Sequence, residues 1–210
     1  MKERILDYNL EIMTALLSAA IILSLLFWDS LTLSGRALIG FMALYVLHEW
    51  EESRFPGGFY DLFFGGFGIE ITVSESRMHP PAAVYLLLIL IIPFALQHIL
   101  FLILIPLGLG LFEGVIHVAG IRIHRLDRPY TPGMITALLL FAYSVFVIIQ
   151  INEAGGLPAW QWVLGFLLSF AGFAIMENCF LRTVGLSFGE FRKIAIARVL
   201  KNRNRSVHGL

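Results

Sequence analysis

Long apolar runs separated by short polar segments dominate this chain. Runs of about 20 apolar residues are long enough to cross a bilayer as helices. The pattern predicts six such helices, at 11–30, 36–52, 81–104, 107–123, 133–151 and 159–181. The sequence therefore predicts an all-α, polytopic membrane helix bundle.

The apolar stretch from 82 to 123 is nearly continuous and would span two bilayers as one helix, so it has to turn back. The residues best suited to break it are Pro106, Gly108 and Gly110. Pro93, or the polar pair Gln97 and His98, offers an alternative turn. We expect the break at Pro106, Gly108 and Gly110.

Composition agrees with a membrane protein. Of the residues, 58% are hydrophobic and only 14% are charged, with a mean hydropathy of +0.82; soluble proteins carry about 25% charged residues. The lone cysteine, Cys179, excludes an intrachain disulfide and a cysteine-rich zinc site. No phosphate-binding loop or nucleic-acid module is recognisable, so membrane lipid is the expected partner.

Basic residues predict the orientation, because Lys and Arg in short loops stay in the cytoplasm. With both termini inside, the inner side receives Lys2, Arg4, Arg54, Arg77, Arg122, Arg125, Arg128, Arg182 and the basic residues of the tail. Arg36 is the one basic exception on the outer side. We expect a single transmembrane domain over 1–187 and a basic amphipathic cytoplasmic tail over 188–210, lying along the inner leaflet.

Ionisable residues interrupt three of the apolar helices near one face of the membrane. They are His48, Glu51 and Glu52 in the second helix, Glu113 and His117 in the fourth, and Glu177 in the sixth. Separations of three and four residues place side chains on one helix face. Because charges at membrane depth are costly, such a group predicts a functional site.

The residue types favour a divalent metal. Two imidazoles and four carboxylates on facing helices are typical of dinuclear carboxylate-bridged sites with iron or manganese. A single zinc held by the two histidines and one glutamate, with water in an open position, needs fewer ligands. The expected ligands are His48, Glu52, Glu113, His117 and Glu177.

Structural explanations also exist for these residues. The segment containing Glu49, Glu51, Glu52 and Arg54 could be a solvated helix end at the headgroups, and the pair on the fourth helix could be purely structural. For His79, His98 and His208, surface or ordinary polar positions are expected. The Phe- and Gly-rich segment 55–73 could be a surface loop, or an interfacial or re-entrant flap over the inner end of the bundle.

Several ordered blocks resemble one family. They are His48-x-x-Glu51-Glu52, the run from Arg54 to Phe59, Glu113-x-x-x-His117, and the run from Tyr130 to Thr136. Over about 40–140 the chain resembles the HXXEE-domain family of small bacterial integral membrane proteins. That resemblance implies a bacterial inner-membrane location and no established reaction.

The expected function is a metal-dependent hydrolase or oxidoreductase that acts on a lipid or another apolar substrate. Glu51 or Glu52 would serve as the base, and Arg122 or Arg125 would lie near a polar headgroup. Two alternatives stay open. One is an intramembrane glutamate protease of the CAAX-processing type; the other is a transporter or binding protein with a His/Glu proton or cation site.

Overall fold

Each predicted apolar run forms a helix in the computed structural model, which describes residues 7–208 but not the side chains of 75–77, 199 and 201–208. The helices are α1 Asn9–Leu26, α2 Leu33–Ser53, α3 Phe59–Phe67, α4 Glu75–Ala95, α5 Leu104–Ile123, α6 Met134–Glu153, α7 Ala159–Thr183 and α8 Phe188–His208. Short 3-10 segments occupy Trp28–Ser30 and Leu100–Ile103. The all-α class is confirmed, since no strand occurs between residues 7 and 208.

Five of the helices are long and apolar enough to cross a membrane, and the chain is therefore an integral membrane protein. They are Asn9–Leu26, Met78–Ala95, Leu100–Ile123, Met134–Glu153 and Ala159–Thr183. The second helix, α2, is not among them, because Arg36 and three glutamates near its end lower its hydropathy. The predicted count of six crossings thus stays a prediction.

Helix α2 occupies the middle of the bundle. It packs against α1, α4 and α6, and 11 of its 21 residues are buried. This position explains how a helix with an acidic end is accommodated here. Packing inside the bundle buries three ionisable residues near its acidic end, His48, Glu49 and Glu51.

The chain turns back between α4 and α5 at 96–99, so the break expected at Pro106 is wrong and the alternative at Gln97 is correct. Pro106 lies in the first turn of α5, where a missing backbone N–H costs nothing. Gln97 holds the start of α2: its Oε1 accepts from the backbone N–H of Thr32 at 2.9 Å, and its carbonyl accepts from the Ser34 hydroxyl.

Close packing joins α5 to α6. A Cβ added at Gly114 would lie 2.6 Å from the Cβ of Phe141, closer than two side chains can approach. Small residues allow such contacts between membrane helices. As a result, the polar half of α5 lies directly beside the start of α6.

The segment 55–73 forms the short helix α3, and this helix packs against the tail helix α8. The rings of Phe63 and Phe191 stack with centroids 5.6 Å apart, and Arg198 Nε donates to the Gly66 carbonyl at 3.0 Å. The two helices together cover one end of the bundle.

The network at the turn gives a first prediction. We expect Gln97→Ala to lower the free energy of unfolding by about 1–3 kcal/mol, because it removes the acceptor for Thr32. Thermal unfolding of purified protein would measure it, with the exposed neighbour His98→Ala as the matched control. Equal stability of the two variants would show that the network does not hold α2.

Candidate metal centre

Four ionisable side chains from α2 and α5 converge on one point. His48 and Glu52 are four residues apart on α2, and Glu113 and His117 are four apart on α5; one donor atom of each lies within 4.8 Å of all the others. His117 Nε2 is 3.0 Å from Glu52 Oε1, and His48 Nε2 is 3.6 Å from the same oxygen. Both Nε2 atoms are 3.7 Å from Glu113 Oε2.

These distances fit a four-coordinate metal. Ligands at about 2.0–2.1 Å from a tetrahedral zinc are roughly 3.3–3.4 Å from one another, and the four separations of 3.0–3.7 Å bracket that value. In addition, His117 Nε2 is buried without a hydrogen-bond partner of suitable geometry. A buried imidazole nitrogen aimed at two carboxylates has the surroundings of a ligand.

Both imidazoles are held from behind by residues at the start of α6. His48 Nδ1 lies 3.2 Å from the Gly133 carbonyl and 3.0 Å from Thr136 Oγ1, while His117 Nδ1 lies 2.9 Å from Thr131 Oγ1. Because a carbonyl only accepts, Nδ1 of His48 carries a proton, which leaves Nε2 as the nitrogen that would bind a metal ion. Such outer contacts orient metal-binding histidines.

The backbone of Gly133 lies against the cluster. Its φ of 86° is in the left-handed region, and an added Cβ would lie 2.5 Å from Glu52 Cγ and 3.0 Å from His48 Cε1. Only glycine satisfies both conditions. Its presence lets the turn before α6 lie against both histidines.

The side chains of the adjacent residues Glu51 and Glu52 lie in different surroundings. The Glu51 carboxylate accepts from the backbone N–H groups of Ile135 and Thr136, at 3.2 and 2.9 Å, and from the Tyr130 hydroxyl at 2.9 Å. Burial and the adjacent carboxylate raise the pKa of Tyr130 to about 12, so its hydroxyl remains a donor at neutral pH. Glu51 therefore caps α6 and is not in the cluster. Its role as a base stays a prediction.

Thr131 does not cap the helix that follows it. Its side chain is turned toward His117, as described above. The first N–H groups of α6 are satisfied by Glu51 instead. A carboxylate from a neighbouring helix thus replaces the local cap.

A cavity of about 330 Å³ opens beside the cluster, between α2, α5 and α7 and the covering helices α3 and α8. Its polar lining consists of Tyr45, Glu49, Glu52, Tyr60, Glu113 and Glu177. Its apolar lining consists of Phe59, Phe63, Phe67, Ala82, Phe112, Ile116, Phe173, Met176, Phe180, Phe188 and Phe191. The predicted ligand Glu177 thus lies in the cavity wall and is not one of the four clustered residues.

Two residues of this site were not predicted. Glu49 was named only in the alternative of a solvated helix end, and it is buried together with Glu51, because α2 ends inside the bundle. Tyr45 donates toward Glu113 Oε1 at 3.5 Å. The available signal was the spacing of Tyr45, Glu49 and Glu52 at four and three residues, which places all three on one helix face.

The other histidines lie apart from the cluster. His79 is buried with its ring 4.9 Å from that of Tyr60, so the expected surface position is wrong: α3 covers it. His98 is exposed in the turn, as an ordinary polar residue would be. The side chain of His208 lies outside the described residues.

Basic side chains do not neutralise the cluster in the described part of the chain. Arg54 pairs with Glu11 at 3.4 Å, and both predicted headgroup residues, Arg122 and Arg125, are exposed around the end of α5. The clustered carboxylates form ion pairs with the two imidazoles. A bound cation is the natural complement of this arrangement.

The different surroundings of the adjacent glutamates give a second prediction. In chelator-treated protein we expect Glu51→Ala to cost about 1–3 kcal/mol, because it leaves N–H groups of α6 unsatisfied. Glu52→Ala removes no backbone hydrogen bond and should cost less. Thermal unfolding of both variants would measure the difference, and a larger loss for Glu52→Ala would contradict this assignment.

Comparison with known proteins agrees with the motifs. The family model described as a protein of unknown function with HXXEE motif matches residues 39–148, which include all four clustered residues and the turn before α6. No curated protein and no solved structure matches the chain. Because the match covers more than half of its length, the chain belongs to the HXXEE family.

Proposed function

We propose that this protein binds a divalent metal ion through His48, Glu52, Glu113 and His117 and uses it in an enzymatic reaction on a lipid or another apolar substrate. The observation that carries the proposal is the convergence of four donor atoms within 4.8 Å at a buried position. The arrangement accommodates one zinc ion. A pair of iron or manganese ions would require further carboxylates, and Glu49 and Glu177 are the nearby candidates.

Different residues of the cluster would bind the metal ion and transfer protons. The two imidazoles, fixed by their Nδ1 contacts, and Glu113 would hold the ion. Glu52 would either complete the ligand set or stay at the same point as a general base, and it lines the cavity in both cases. A bound ion would supply Lewis acidity for hydrolysis or, if it is redox-active, oxygen chemistry.

The cavity supports an apolar substrate. Its wall is predominantly aromatic, and Glu52 and Glu113 belong to both the cavity and the cluster. A molecule in the cavity would therefore touch the reacting groups without crossing water. We place the protein in a bacterial inner membrane with the cluster toward the cytoplasm, as the basic residues and the family resemblance indicate.

Observations on the described residues weigh against the two alternatives. A protease with a glutamate pair needs both carboxylates at one point, whereas Glu51 and Glu52 diverge. A relay across the membrane needs ionisable groups at several depths. The buried ones here are His48, Glu49, Glu51, His79 and His117, all near one end of the bundle.

Metal content tests the proposal directly. We expect about one zinc, iron or manganese ion per chain in protein purified without chelator, measured by mass spectrometry. His48→Ala and His117→Ala should each lose it, because each removes one ligand of a shared site. The exposed carboxylate variant Glu153→Gln is the control and should retain the ion.

The identity of the ion would separate hydrolytic from redox chemistry. A folded wild type without metal, or metal retained in both histidine variants, would overturn the proposal. Circular dichroism of each variant would establish that the helices are intact.

Thr131 provides a finer test. We expect Thr131→Val to weaken metal affinity by about 10- to 100-fold, because it removes the group that holds His117 Nδ1 while keeping its shape. Competition with a chelator of known affinity measures the change. Thr183→Val, which also deletes a threonine hydroxyl but at the end of α7, should bind as the wild type does; equal loss in both would contradict a specific role.

A further inference from the structure

A carboxyl group in the wall of the cavity beside the cluster has no hydrogen-bond or ion-pair partner in the described part of the chain. Glu49 is only 9% exposed and forms part of the cavity wall. Neither it nor Glu177 forms a hydrogen bond or an ion pair with any described residue. Since buried polar groups are nearly always hydrogen-bonded, the missing partner is expected to come from a ligand.

The lining determines what such a ligand must bring. Its polar groups are four carboxylates and two tyrosines, and it contains no Lys or Arg within the described residues. A carboxylate accepts hydrogen bonds, so a ligand that pairs with these groups in their charged form has to donate. An ammonium group brings three donors and a positive charge, an alcohol brings one donor, and an anionic headgroup would add acceptors and negative charge.

Aromatic rings around the acidic groups favour the same ligand. Tyr45, Phe59 and Phe112 line the cavity together with Glu49 and Glu113. Aromatic faces attract ammonium groups and provide about 0.5–2 kcal/mol per contact. Further along, rings from α3, α7 and α8 offer an apolar surface for a hydrocarbon chain.

The volume restricts the size of that chain. At roughly 30 Å³ per methylene, comparable to the share of one water molecule in the liquid, the cavity of about 330 Å³ holds on the order of ten carbons. A single hydrocarbon chain of about that length fits in the cavity.

We propose that this cavity binds a single-chain amphiphile with an amine head, the ammonium group beside Glu49 and the chain along the phenylalanine wall. The inference rests on the proposed function, because it names the substrate class of that site. The carbon that bears the amine would lie next to Glu52 and Glu113, and thus next to the metal ligands. Glu49 becomes a specificity residue.

Binding of tritiated dodecylamine tests the inference. The protein would be placed in phosphatidylcholine nanodiscs, with empty nanodiscs as the correction for partitioning, and assayed both metal-loaded and chelator-treated. We expect saturable binding of about one molecule per chain. Unlabelled dodecylamine should displace it, while dodecanol should compete at least about tenfold less well and dodecanoic acid not at all, because their heads lose the charge-assisted hydrogen bonds.

Variants then locate the site. Glu49→Gln removes no hydrogen bond within the described residues and should fold; we expect it to weaken dodecylamine binding at least about tenfold. Glu153→Gln, an exposed carboxylate outside the cavity, should bind as the wild type does. Glu177→Gln tests the second unsatisfied carboxyl group in the same way.

Three outcomes would overturn the inference: equal displacement by dodecanoic acid, unchanged binding in Glu49→Gln, or a second metal ion per chain that Glu49→Gln loses. The last outcome would make Glu49 a metal ligand. Failure of the metal proposal would give a different result. If protein that contains no metal still binds the amine and this binding depends on Glu49, the inferred binding site is supported and the metalloenzyme proposal fails. If a variant does not fold, the competition between dodecylamine, dodecanol and dodecanoic acid in wild-type protein still tests the inference.

Discussion

The burial of two imidazoles and two carboxylates in an apolar bundle is the constraint on which the rest of the structure depends. Ionisable groups at membrane depth are costly unless they are paired or bind an ion. The fold reduces this cost by packing α2, the least hydrophobic of the helices from α1 to α7, against α1, α4 and α6. Gly114 lets α5 approach α6 closely, and the donors of α5 converge with those of α2 inside the bundle.

The turn before α6 connects the histidines and the glutamates into one unit. Thr131, Gly133 and Thr136 hold the outer nitrogens of both imidazoles, while Glu51 satisfies the first N–H groups of the same helix. The HXXEE motif therefore performs two tasks. Its histidine and last glutamate face the centre, and its first glutamate fixes the element that orients them.

The cavity places a largely apolar surface directly beside the clustered glutamates. Apolar walls from α3 and α8 lie against an acidic surface from α2, α5 and α7, so an amphiphilic molecule can place its chain and its polar end in different surroundings. Helices α3 and α8 contact each other through Phe63, Phe191 and Arg198, and both contribute side chains to the cavity wall.

The sequence by itself determined the all-helical class, the helix positions to within a few residues in most cases, and the donor pairs four residues apart on α2 and α5, because apolar run length and helical spacing are local properties. Only the tertiary structure decided that Gln97 forms the turn, that Glu51 caps α6 while Glu52 joins the cluster, and that Glu49 is buried in a cavity wall. Adjacent residues on a helix point about 100° apart. Whether a side chain contacts a partner on another helix depends on how its own helix is rotated against its neighbours. Packing between distant parts of the chain sets that rotation.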